Sequence, residues 1–190
     1  MIDMLKAEAH NETDKQDNYI FIPTLVTYLN MVFGSISIYI SNIRDINMLK
    51  VASILILLAA VTDKLDGFVA RKLNMSSDFG KELDSLCDII SFGLAPVVIA
   101  WNILDGSLNI LEIIISLIYI GAGIFRLARF NITKDEKHFV GLPITIAGSI
   151  MALKYLIDIR FNISIMNNFA LMIILSILMV GKFKVKKPRI

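Results

Sequence analysis

DKLDGFVARKLNMSSDFGKELDSLCD, residues 63–88, sets two pairs of aspartates, Asp63 with Asp66 and Asp84 with Asp88, into an otherwise apolar chain. The pairs are spaced three and four residues apart, so on helices each projects from one face, one turn above the other. Two such helices facing each other would gather four carboxylates. An aspartate at the centre of a membrane helix costs about 2.5–3.5 kcal/mol on insertion scales, and mutual repulsion adds to that. Water, basic partners or bound cations must therefore offset the cluster. The only histidines, His10 and His138, stand far from it in sequence. Ligation through oxygen alone points to a hard ion such as Mg²⁺ or Mn²⁺ rather than to zinc.

The surrounding chain is that of a membrane protein. Of its 190 residues 56% are hydrophobic and 19% charged, and the mean hydropathy is +0.69, well above a soluble domain. Six apolar segments are predicted, roughly 21–42, 48–73, 79–104, 109–130, 141–160 and 164–182, giving an all-α protein of six transmembrane helices. The domain plan is a polar segment 1–20, a catalytic helical domain 21–182 and a basic tail 183–190. Residues 1–20 lack the charge order and apolar core of a signal peptide. Within these 190 residues no separate soluble catalytic domain is expected, so the chemistry is expected on the helices or at their ends. A net charge of +2 without a dense basic cluster argues against nucleic acid as a partner. The lone Cys87 excludes an intramolecular disulfide.

Basic residues near helix ends favour the cytoplasmic side. Lys6, Lys15, Arg71, Lys72, Lys81, Arg129, Lys134, Lys137, Lys182, Lys184, Lys186, Lys187 and Arg189 fall on one side, against Arg44, Lys50 and Arg160 on the other. Both termini and the aspartate cluster are thus expected to face the cytoplasm of a multi-pass cell-membrane protein. Lys154, inside the fifth segment, reads as a side chain snorkelling toward the outer face.

Small residues accompany the carboxylates: Gly67 follows Asp66, Ala70 lies four beyond it, and Gly80 precedes Asp84 by four. They permit close approach of a helix or a ligand. Lys64 and Arg71 stand beside them. Carboxylates for a metal, a metal for phosphate oxygens, and nearby cations for further negative charge describe a phosphoryl-transfer site.

Asp63, Asp66, Gly67, Ala70, Arg71, Gly80, Asp84 and Asp88 carry the spacing D-x2-D-G-x2-A-R-x8-G-x3-D-x3-D, which resembles the signature of the CDP-alcohol phosphatidyltransferase family at all eight positions. The words SFGLAP (91–96), FRLARFN (125–131) and FVGLP (139–143) are similar to those of its integral-membrane phosphatidylserine synthase branch. The resemblance implies transfer of a phosphatidyl-type group from a CDP-lipid, diacyl or ether-linked, to the hydroxyl of L-serine, with release of CMP. It implies a pair of Mg²⁺ or Mn²⁺ ions on Asp63, Asp66, Asp84 and Asp88, with Asp88 as a ligand or as the general base. It also implies a homodimer in the lipid bilayer.

In the same reading Gly67, Ala70 and Gly80 leave space for the nucleotide, and Arg71 bears on its phosphates or on the carboxylates. Arg126 and Arg129, three apart, can point the same way and take an acceptor carboxylate or phosphate, or simply mark a cytoplasmic helix end. Asn30 reads either as a contact near the nucleotide or as a hydrogen bond between helices. Ser85 and Ser91 border the cluster and either contact serine or bond the preceding helical turn. Glycerol phosphate or inositol phosphate would use the same metal site. An intramembrane ion or proton carrier is the reading from another class, and the concentration of the polar groups toward one face speaks against it.

Overall fold

A computed structural model describes residues 25–72, 78–104, 109–132, 138–161, 166–182 and 184–186. Helix α1 (Leu25–Ser41) is followed by α2 (Ile46–Lys72), α3 (Asp78–Asp88), a π-helical stretch Ile89–Leu94, α4 (Ala95–Ile103), α5 (Ile110–Ile132), α6 (Ile144–Phe161) and α7 (Met166–Val180). The π-helical stretch joins α3 to α4 end to end, so these elements make six apolar segments near the predicted bounds. The spans Ile46–Leu65, Phe79–Ile103 and Ile110–Ile132 are each long and apolar enough to cross a membrane, whereas Leu25–Ser41 and Asn167–Val180 are shorter apolar helices. Helix α6 has Lys154, Asp158 and Arg160 within its 18 residues.

One feature escapes helical periodicity. Strand β1 (His138–Val140) pairs antiparallel with β2 (Lys184–Lys186), His138 opposite Lys186. The ribbon fastens the connection between α5 and α6 to the chain beyond α7. Gly141 turns away from it with φ +78°, in the left-handed region that favours glycine, and a Cβ there would meet backbone carbonyls at the end of α7.

Apolar association has no water to drive it inside a bilayer, so helices there adhere by close packing and interhelical hydrogen bonds. The core shows both. Ala52, Ala59, Ala95, Ala100, Ala147 and Ala152 are buried, and α5 packs along α7 as α2 packs along α6. Leu58, Val61, Leu117, Ile118, Ile174 and Ile177 face outward, as lipid-facing side chains do.

The π-helical stretch is the hub, touching α2, α4, α5 and α6. Pro96 has no N–H to offer the Phe92 carbonyl four residues earlier, and the buried Tyr119 hydroxyl donates to that carbonyl at 3.0 Å. Tyr155 donates likewise to the Pro96 carbonyl at 2.7 Å. Gly148 lets α6 approach the same stretch, for a Cβ there would lie 2.9 Å from Phe92 Cα. Lys154, read from sequence as snorkelling outward, instead pairs with Asp158 one turn along, a residue with 4% of its surface exposed. An unpartnered buried carboxylate would be costlier than the bent lysine side chain.

Candidate active site

Asp63 sits two-thirds of the way along α2, Asp84 and Asp88 in α3, Arg126 and Asn131 toward the end of α5, and Thr145 at the start of α6. These positions converge at one end of the bundle around a cavity of about 520 Å³. Its lining includes Asp63, Gly67, Asp84, Ser85, Asp88, Arg126, Asn131 and Thr145, with Lys64 and Lys81 also contributing.

Carboxylate oxygens of Asp63, Asp84 and Asp88 lie within 4.8 Å of one another. Asp88 is 5% exposed and the other two are half-buried. Two like charges at such a separation repel by about 3 kcal/mol even at an effective dielectric constant of 20. Three carboxylate donors converging from two helices suit a hard divalent ion, so the residues present fit Mg²⁺ or Mn²⁺. The expected fourth ligand, Asp66, belongs to the same helix as Asp63, but its side chain, like those of Ala70 and Arg71, lies outside the described residues.

The two arginines part company. Arg126, 7% exposed, lines the cavity with its Nε buried and without a hydrogen-bond partner among the described residues, and its guanidinium stands 5.6 Å from the centroid of the Phe130 ring. Arg129 turns to the end of α7, donating to the carbonyls of Val180 at 2.9 Å and Met179 at 3.2 Å. Those carbonyls have no amide partner within their own helix, and a guanidinium satisfies them and complements the negative helix terminus. A spacing of three permitted a shared direction, but the nearby carbonyls of α7 drew one side chain away.

The serines also divide. Ser85 donates to the Lys81 carbonyl one turn back at 3.0 Å and accepts from Asn131 Nδ2 at 3.1 Å. Ser91 instead reaches across to α1, donating to the Asn30 carbonyl at 3.0 Å. The Asn30 side chain, wholly buried, gives its amide N–H to Asp88 Oδ1 at 3.1 Å. Gly80 is half-buried on α3. Sequence reasoning missed Asn131 and Thr145. Asn131 ends the quoted word FRLARFN and Thr145 follows FVGLP by two positions, so proximity to those words was the available signal.

Residues 20–182 match the family model described as CDP-alcohol phosphatidyltransferase. Among curated proteins, the chain is 36% identical to the archaetidylserine synthase of Methanothermobacter thermautotrophicus, over 93% of this chain and 73% of that one. It is 36% identical to the CDP-diacylglycerol–serine O-phosphatidyltransferase of Methanocaldococcus jannaschii, over 88% of this chain and 75% of the relative. The enzyme of the same name from Helicobacter pylori is 34% identical, over 87% and 71%.

Proposed function

Because the chain belongs to the CDP-alcohol phosphatidyltransferase family, we propose that it transfers the phosphatidyl-type group of a CDP-lipid to the hydroxyl of L-serine and releases CMP. The observation that carries the chemistry is the convergence of Asp63, Asp84 and Asp88 in a cavity that also holds Arg126. The serine acceptor draws its support from relatives named for that acceptor.

In this reading Asp63, Asp66 and Asp84, with Asp88 at the end of the array, hold Mg²⁺ or Mn²⁺. The metal, when bound, supplies positive charge that offsets the phosphates and the carboxylates. Asp88 takes the proton of the serine hydroxyl. The serine oxygen forms a bond to the lipid-side phosphorus, the anhydride P–O bond breaks, and its electron pair leaves on CMP. Arg126 pairs with the acceptor carboxylate, since a buried guanidinium is a strong partner for it. Gly67, Ala70 and Gly80 make room for the nucleotide, and Arg71 bears on its phosphates. Ser85 and Asn131 form the polar wall beside them, while Arg129 secures the end of α7.

The bias of basic residues toward the cavity end supports a cytoplasmic active site and cytoplasmic termini, with 1–20 and 183–190 flanking the membrane domain 21–182. Family resemblance supports a homodimer.

The test is CMP release by purified protein in detergent with a CDP-lipid and Mg²⁺ or Mn²⁺, comparing L-serine, glycerol 3-phosphate and inositol phosphate. Release that needs serine and stops on chelation is the expected result. Release with a phosphorylated acceptor alone would replace the serine assignment while leaving the metal site in place.

A further inference from the structure

Asp88 receives a hydrogen bond from α1, a helix none of whose described residues lines the cavity. Asn30 lies on α1, wholly buried, and its Nδ2 is 3.1 Å from Asp88 Oδ1. An ionised carboxylate only accepts, so the amide must turn its N–H toward it. The other end of the amide, Oδ1, is buried with no hydrogen-bond partner among the described residues, so Asp88 is the group this side chain serves there.

The backbone beneath it is held as well. Ser91, three residues beyond Asp88, donates to the Asn30 carbonyl at 3.0 Å. One turn along α1 from Asn30, Gly34 has no side chain to separate the helices, and a Cβ there would lie 2.6 Å from Ser91 Cα. The contacts advance in the same direction on both helices, Asn30 to Asp88 and Gly34 to Ser91, as parallel helices require. Hydrogen bond, backbone anchor and close approach thus fix one amide against one carboxylate.

We infer that Asn30 is a positioning residue that holds the Asp88 carboxylate in its reactive orientation, and that it does not bind the nucleotide. The inference rests on the role proposed for Asp88. A hydrogen bond that orients a carboxylate carries roughly 10–100-fold in activity or metal affinity where such partners have been removed.

The experiment compares wild type with Asn30→Leu, which keeps the volume and removes the donor, using whichever acceptor the wild type turns over. An incorrect serine assignment then shows in the wild-type acceptor panel and leaves the Asn30 comparison intact. The expected result is a kcat lower by roughly 10–100-fold, with the KM for CDP-lipid and the calorimetric affinity for CMP within about twofold of wild type. In an Asp88→Asn background the same change should have almost no further effect, because coupled groups are not additive. Asn30→Ser, whose hydroxyl is too short to reach Asp88, serves the same comparison if Asn30→Leu does not fold. Unchanged kcat, a raised KM with preserved kcat, or lost CMP binding would each overturn the inference.

Discussion

Gly34→Ala tests how tightly α1 must lie against the π-helical stretch. The new Cβ would stand 2.6 Å from Ser91 Cα and 2.8 Å from Ser91 Cβ. Non-bonded carbons settle at about 3.5–4.0 Å, so α1 must withdraw by roughly 1 Å. The same movement lengthens Asn30 to Asp88 from 3.1 Å and Ser91 to Asn30 from 3.0 Å, beyond hydrogen-bonding range. Overpacking costs about 1–3 kcal/mol, and two lost interhelical hydrogen bonds add about 0.6 kcal/mol each in a membrane protein. The total is about 2–4 kcal/mol, which for a chain of this length lowers the melting temperature by on the order of 10 °C. Displacing a reacting group by about 1 Å also lowers turnover on the order of 100-fold. Thermal denaturation in detergent and CMP release measure the two effects. Gly121→Ala is the control, since a Cβ there meets nothing within 4 Å. A Gly34→Ala protein that melts within about 2 °C of wild type and turns over normally would refute the close-approach argument.

Asp88→Asn should lower kcat by about 10²–10⁴ while CDP-lipid binding stays within a few-fold, as expected when a general base is lost. Full activity in that variant would remove Asp88 from the role. Arg126→Leu should raise the KM for serine more than about tenfold, the order of a lost charge-assisted pair. Arg129→Leu should leave that KM near wild type and lower the melting temperature, because its hydrogen bonds go to the end of α7. Equal effects of both substitutions on the serine KM would refute the division of labour. Tyr119→Phe removes the hydrogen bond to the Phe92 carbonyl and should cost about 1 kcal/mol in denaturation experiments.

Much of the fold was legible because a bilayer narrows the choices. Backbone groups in hydrocarbon must bond within their own segment, so apolar runs of sufficient length had to be helices, and their number and approximate bounds followed. The aspartate pairs were legible for a related reason: carboxylates are so costly among apolar residues that spacings of three and four on neighbouring segments imply a shared site. The π-helical turn after Asp88 was not legible. It depends on Pro96, Tyr119 and Gly148 meeting from three different segments, which no local pattern encodes.

The sequence by itself determined a helical membrane protein, a carboxylate cluster suited to a hard cation and a family. Local periodicity and the cost of burying charge act along a single chain segment, so they can be read from residue order. Tertiary structure alone decided that Arg126 enters the cavity while Arg129 secures α7, that Asn131 and Thr145 join the site, and that Asn30 bonds Asp88. The placements of Arg129, Asn131 and Asn30 turn on which side chain finds a polar partner on another helix within about 3 Å, a short-range competition that becomes defined only once the helices have packed.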